Sequence, residues 1–504
     1  MNHIILENNS SVPLQQIPLL EYTGFFQEVS RLLRNPDCHC VNYYAFPETP
    51  DLLRFIAVIA DDAAHNLCVT SFSKPLTDKT PLESLAARHY AVHIFEREIH
   101  EQYGVMFSGH PWQKPVRYPF NRNDKSAAIG NYPFYHISSY ELHEVGVGPI
   151  HAGIIEPGHF RFICNGEKVL HLEIQLGYQH RGIEQLMSKN KSLLHQTLLA
   201  ESIVGDTVIG HSTAFAQIVE TLNNIHVSEN LQISRTIACE LERIAMHTAD
   251  LSALCTDVAF QLGSAVLQGL RTIIINTFLI WCGNRFGRKL IRCGYEPFVF
   301  DTALVSKIKH NLDLFEKRYT EISDKTFDMP SVLARFERTG IITHEQNQLI
   351  GAVGMAARSA GLNRDIRVSH PFAFYGNMEH NPVVLEGGDV KARAKLRDLE
   401  IRQSLKHIRK LLSEYSMDGK PQNNKPEKLK SAPDMFAVSL TEGWRGEICH
   451  CAVTNNEGYL KNYKIKDPSL HNWMALALAV RNNDISDFPV CNKSFNLSYC
   501  GNDL

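Results

Sequence analysis

The period of the hydrophobic pattern changes along the chain, and the clearest stretch is 148–187. Alternating apolar and polar runs lie there between turn signals: Ile154-Ile155 ahead of Glu156-Pro157-Gly158, then His159 to Cys164, then Val169 to Ile174 after Asn165-Gly166. Asn-Gly between two such runs is the strongest short-range hairpin signal, because tight hairpin turns need positive φ. The stretch predicts a β-meander that passes through Gly177 to Met187 into a helix, with His180 and Arg181 at the junction.

Upstream, Phe25, Phe26, Val29, Leu32 and Leu33 recur at helical spacing, whereas Val41 to Phe46, Leu52 to Ile59 and Asn66 to Phe72 alternate as strands. A helix rich in alanine and histidine is predicted over Pro81 to His110. Residues 1–20 show no clear period and predict a loose arm, and the Pro, Asn, Asp and Ser clusters after residue 112 predict a linker at 121–147. Residues 181–290 predict mostly helix, Gly388 to Leu405 a long amphipathic helix, and Met417 to Ser431 a polar break. The fold class is α+β: a small α+β unit at 21–120, then a mainly helical unit at 148–504 that opens on the meander.

Composition narrows the function classes. A formal charge of -3, with 21% charged and 44% hydrophobic residues, excludes a basic nucleic-acid-binding surface. The longest apolar stretch, Thr272 to Cys282, predicts no bilayer crossing, and without a signal pattern the expected location is cytoplasmic. Twelve cysteines are scattered without any C-x-x-C spacing, so reduced thiols are expected. Cys38-His39-Cys40 and Cys449-His450-Cys451 read as strand alternation rather than metal sites. No G-x-G-x-x-G follows a strand, so nicotinamide chemistry is expected only in other subunits, if at all. Candidate chemistry concentrates in the meander, where His151, His159, His171 and His180 fall close to Glu156, Arg161 and Glu184. Surface histidines on a meander are the bland account of that cluster.

Motifs give the cluster a sharper meaning. Gly148-Pro149-Ile150-His151, Glu156-Pro157-Gly158-His159-Phe160-Arg161 and Gly177-Tyr178-Gln179-His180-Arg181-Gly182-Ile183-Glu184 resemble the opening of the large subunit shared by energy-converting nickel-iron hydrogenases, formate hydrogenlyase among them, and the D subunit of complex I, NADH:quinone oxidoreductase. Glu96-Arg97-Glu98, Tyr103 to Phe107 and Gly109-His110-Pro111 resemble the C subunit of complex I, fused in front as in formate hydrogenlyase. ISRTIACELERIAMH, GNRFGR, ARSAGLNRDIR and EGWRGEICH continue the resemblance, which spans roughly 40–504.

The resemblance implies a peripheral-arm subunit of a membrane-bound oxidoreductase complex, with electron transfer coupled to ion or proton movement. It implies an iron-sulfur small subunit and antiporter-like membrane subunits as partners, attachment through them to the inner face of a bacterial membrane, and no nucleic acid. The four thiolate positions of the family's nickel-iron centre fall on Val204, Thr207, Ser498 and Gly501, so no nickel is expected. The family's quinone-binding His and Tyr positions fall on Pro157 and Leu199, which leaves quinone binding to an offset in which His159 or His151 takes over. The remaining candidates are Glu156, His159 and Asp206 for proton handling, and His151, Arg161, His180 and His211 as cavity residues, with Arg181 beside them. The tail is expected to return to the first hairpin, with Tyr499 and Cys500 filling the former metal volume and Asp206 pairing near Arg358 or Arg364. A non-redox structural or ion-coupling subunit that keeps only the scaffold is the alternative.

Overall fold

The computed structural model describes residues 2–153, 155–416, 422–424 and 431–504, so Ile154 and most of the expected polar break at 417–431 lie outside the described residues. Strands Cys38–Thr49, Leu52–Asp61 and Asn66–Pro75 form successive antiparallel hairpins. The middle strand is apolar almost throughout, which a strand buried on both faces requires. Phe55, Ala57 and Ile59 pack toward the helix Tyr22–Leu32 and the helix His93–Tyr103, while Ile56, Val58 and Ala60 join the core of the larger unit. The small sheet is therefore sandwiched, and the two units share an interior.

The first twenty residues do not form a loose arm. Ile4–Leu6 adds to the small sheet beside Asn66–Pro75, and Ser10–Pro13 pairs with Met435–Gly443 in a second sheet made otherwise of Gly446–Thr454 and Leu460–Lys466. The segment is too short to show a period of its own; its order comes from two sheet edges that it covers. The helix expected over 81–110 is also confined to His93–Tyr103. Upstream, the Glu96 carboxylate accepts from the Ser84 hydroxyl and the Leu85 amide, which folds that segment back on the helix. Downstream, Gly104 ends the helix at φ 70°, and the Asn123 side chain lies 2.5 Å from where a Cβ would stand.

The meander keeps its Asn165-Gly166 hairpin, with Asn165 opposite Lys168 and Gly166 at positive φ. Its first strand, however, is His143–Val147 from the expected linker, paired along His159–Asn165. Beyond this strand, His151 folds back onto the Gly158 carbonyl, 3.0 Å away. Phe160 and Phe162 face inward onto Phe488, and Phe160 also meets Tyr499, so the last helices, Phe488–Phe495 and Tyr499–Asp503, close over the meander.

Four long helices, Glu229–Asp257, Gln261–Cys282, Thr302–Asp328 and Val390–Glu414, build the bundle. Ser228, Asp301 and Asp389 cap three of them through side-chain oxygens on N–H groups of the first turn. Gln261–Cys282 corrects the sequence expectation in another respect. Its amino-terminal half carries only Arg271 as a charge, so the whole helix is long and apolar enough to cross a membrane, though 39% of its most apolar window is buried inside the fold. Both C-H-C triplets lie on strands, as alternation requires: the Cys449 and Cys451 sulfurs share one face at 3.7 Å while His450 turns to the other.

Candidate functional site

The turn Gly443-Trp444-Arg445-Gly446 joins two strands that are buried along nearly their whole length, so a charge at its tip is carried into the interior. Gly354 pins the turn: a Cβ there would stand 2.2 Å from the Arg445 carbonyl, and only glycine allows the two backbones to touch. The Arg445 guanidinium donates to both oxygens of Asp206, at 2.6 and 2.9 Å, and to Thr207 Oγ1 at 3.3 Å. Its Nε donates to the Asn496 carbonyl at 2.5 Å. One buried cation thus joins the loop ahead of the helix Val208–Leu222 to the loop ahead of the tail helix. The Trp444 indole N–H completes the turn on the Asp206 carbonyl, 2.8 Å away.

A hydrogen-bonded chain reaches the same place from the second sheet. Tyr463 donates to His450 (2.7 Å), His450 to His211 (3.1 Å), and His211 to Asp467 (3.1 Å), a single direction that satisfies every partner. Burial opposes ionisation of Asp467, but the His211 hydrogen bond and the Arg445 charge hold it below the usual carboxylate range. A Cβ on Gly501 would lie 2.6 Å from the Asp467 carboxyl carbon, so this carboxylate fits only against a glycine. Glu242 lies on the near side and caps the helix Val208–Leu222 by accepting from the Ile209 and Gly210 amides. Burial nevertheless pushes its carboxyl up to about 8.

Deeper still, Arg358 bridges Glu400 and Glu442 at 2.7 and 2.8 Å, and Arg367 bridges Asp365 and Glu400 at 2.7 and 2.9 Å, all of them buried. Burial and the nearby Asp365 charge push Glu442 up to about 7 in spite of its arginine.

Asp206, Thr207, His211, Ser498 and Gly501 therefore gather around Arg445 and Asp467. Val204 is buried just behind, where its carbonyl accepts from the Thr207 amide. Burial, and with it the neighbouring Glu156 carboxylate, raises the Cys500 thiol to about 12, and Cys500 in turn meets Ser498 Oγ at 3.4 Å. His180 donates through Nδ1–H to the Asp503 carbonyl, 2.8 Å away, and Arg181 holds the Ser202 and Ile203 carbonyls. His159 and Arg161 do not join this group. As alternate residues on the meander's outer face they pack on Phe134, and Arg161 grips Glu144. Nor does Asp206 pair with Arg358 or Arg364, because Arg364 turns to Asp62. Tyr499 seats on Gly158 and Trp473 at the meander's edge instead of filling the centre.

Arg445, Asp467 and Glu242 lie in motifs of the sequence but were not among its candidate site residues. A cation between two glycine-flanked apolar strands, in Gly443 to Gly446, was the signal that could have flagged the first.

Comparison with known proteins agrees with this architecture. Residues 26–121 match the family described as the respiratory-chain NADH dehydrogenase 30 Kd subunit, and residues 263–436 match the 49 Kd subunit family. The chain is a fused subunit of the type in which these two domains, C-like and D-like, are joined. Among its relatives are formate hydrogenlyase subunit 5 of Escherichia coli K12, 27% identical over 78% of this chain and 72% of that protein, and the C/D subunit of the NADH-quinone oxidoreductase of Phocaeicola vulgatus, 25% identical over 81% of this chain and 84% of that protein. A chain of the membrane-bound sulfane sulfur reductase, an archaeal respiratory membrane complex, shares the fold at a TM-score of 0.68 and 20% identity, over 73% of this chain and all of that one.

Proposed function

We propose that the protein is a peripheral-arm subunit of a membrane-bound oxidoreductase complex in which an internal guanidinium–carboxylate centre occupies the place of a nickel-iron site. The observation that carries this reading is Arg445, bound at once to Asp206 and Thr207 on one loop and to Asn496 on the other. Val204, Thr207, Ser498 and Gly501 offer no thiolate, and a nickel-iron centre needs soft sulfur donors. A fixed positive charge between the two loops also repels a metal cation. The residues present do not fit that group. Pro157 and Leu199 cannot hydrogen-bond a quinone through their side chains; His151 is engaged with the Gly158 carbonyl and His159 packs against Phe134.

Electron transfer in such a complex would run through an iron-sulfur cluster in a small partner subunit, with antiporter-like membrane subunits below and any nicotinamide chemistry in further subunits. The inner face of the membrane is the side this arrangement implies. A second reading, a non-redox coupling subunit, draws support from Glu242 and Glu442, carboxyls raised to about 8 and about 7 by burial beside the same centre. Metal analysis and electron-paramagnetic spectroscopy of the intact complex test both. Iron-sulfur signals without nickel, and no hydrogen uptake with a viologen dye, are expected; stoichiometric nickel or dye-coupled uptake overturns the proposal, and absence of any cluster transfers it to the second reading.

A further inference from the structure

A cavity of about 480 Å³ lies between the helix His93–Tyr103, the segment Pro111–Val116 and the helix Ser469–Ala479, whose Trp473 also donates to the Ser498 carbonyl at 3.4 Å. That size is typical of sites for organic ligands. Its walls are largely apolar, with Ile94, Leu172, Trp473 and Met474 among them. Its cations are the exception. The Arg97 guanidinium is buried and lies over the Trp112 ring at 4.2 Å, yet its hydrogen bonds go only to the Lys114 and Pro115 carbonyls, and no carboxylate is within ion-pairing distance of it among the described residues. Arg481, exposed at the mouth, has no carboxylate within ion-pairing distance among the described residues and meets His171 Nδ1 at 3.5 Å.

The acid on the wall, Glu173, is already engaged by Lys114 at 2.5 Å, by the Tyr132 hydroxyl and by the Tyr135 amide. Also on the wall, the ring of His93 is buried and its Nδ1 has no hydrogen-bond partner among the described residues. Desolvation and the Arg97 charge hold this imidazole well below its ordinary value, so it is neutral and can donate one hydrogen bond.

Buried charges and buried polar atoms are normally matched, and leaving a guanidinium without a counter-ion is costly. An apolar chamber with one buried guanidinium lacking a counter-ion, a second arginine at its mouth and an orphaned imidazole is matched by a ligand with an apolar body and one anionic group. We infer that this cavity is a binding site for an amphipathic organic anion, its ring or chain between Trp473 and Met474 and its acid group toward Arg97, His93 and Arg481. The inference does not rest on the redox reading.

The experiment titrates the full-length chain, alone and within its purified complex, with the fluorescent aromatic sulfonate 8-anilinonaphthalene-1-sulfonate, and with its uncharged parent N-phenyl-1-naphthylamine. One saturable site per chain is expected, with the neutral probe bound about tenfold more weakly, the value of one charged hydrogen bond. Arg481→Gln, a change at an exposed position, is expected to weaken the sulfonate about tenfold and leave the neutral probe unchanged. Met474→Trp is expected to abolish both at an unchanged melting temperature. Sulfonate binding that survives Met474→Trp overturns the location, and equal affinity for the neutral probe overturns the anion class. A site open in the isolated chain but closed in the complex shows that a partner's side chain fills it, and overturns the small-molecule assignment.

Discussion

Arg445 holds Asp206 by two hydrogen bonds of 2.6 and 2.9 Å, yet the two residues are unequal partners: the guanidinium side chain is 4% exposed and the carboxylate 35%. Removing the anion leaves the cation its other partners, whereas removing the cation leaves the Asn496 carbonyl and the buried Asp467 carboxylate uncompensated. The cation also serves the Asn496 carbonyl and balances Asp467, so Arg445→Ala is expected to cost about 3 kcal/mol and Asp206→Asn about 1–2 kcal/mol after solvent screening at the exposed end. Denaturant melts of the two variants and their double mutant measure the coupling; additive effects would refute a direct pair.

Glu242 gives the chain a pH dependence of definite sign. Burial raises its folded pKa to about 8, so from about pH 5 to about pH 8 the folded state holds a proton that the unfolded state has released. Stability therefore falls as pH rises through that window, by up to about 1.4 kcal/mol per pH unit, and levels off above it. Glu442, raised to about 7, adds the same sign up to its own value. Glu242→Gln is expected to flatten the slope between pH 7 and 8 in urea-melt midpoints. An unchanged slope contradicts the assignment.

Asp503 accepts from the amides of Gly177 and Gln179 at 2.8 Å each, while the Leu504 carbonyl takes those of Arg181 and Gly182. Asp503→Ala leaves two N–H groups without partners, at about 2–3 kcal/mol in total. Amide hydrogen exchange at 177–182 is expected to accelerate at least tenfold, with the bundle helices unaffected. Uniform acceleration across the chain would mean that the tail and meander do not open as a local unit.

Leu262, Leu279 and Ile280 are exposed on the helix Gln261–Cys282, as are Leu194 and Leu198 on Leu193–Ala200. Apolar side chains in such number on helix surfaces mark contact with partners. The chain expressed alone is expected to self-associate, and Leu279→Lys with Ile280→Glu to shift it toward monomer in sedimentation velocity. A monodisperse wild-type monomer would count against a partner-facing surface here.

The fold was legible wherever residues repeat with a period. The small sheet, the bundle helices Glu229–Asp257 and Val390–Glu414 and the Asn165-Gly166 hairpin follow from spacing, whereas Thr302–Asp328 was not read from the sequence. Two further things were not legible. The segments Ile4–Leu6 and Ser10–Pro13 are too short to carry a period, and their partners lie about 60 and 420 residues away, so only the folded chain shows what orders them. At the site, family spacing drew attention to the right loops, at Asp206 and Ser498, but not to the residue between them. Arg445 belongs to a third segment, and a pattern of positions along one stretch holds no information about which distant turn enters the space it encloses. His159 and Arg161 misled for the opposite reason: they sit in a strong motif, yet strand alternation turns both outward.

The pairing of Ser10–Pro13 with Met435–Gly443 also fixes an order of events during synthesis. At about 5–20 residues per second, the ribosome needs roughly 20–80 s to deliver the second strand after the first has emerged. Through that interval the amino-terminal strand has an open edge, and the apolar outer face of the small sheet, Ile56, Val58 and Ala60, has nothing to cover it. The nascent chain is thus most exposed to chaperones, and most prone to pair with a neighbour on the same message, until its last seventy residues arrive.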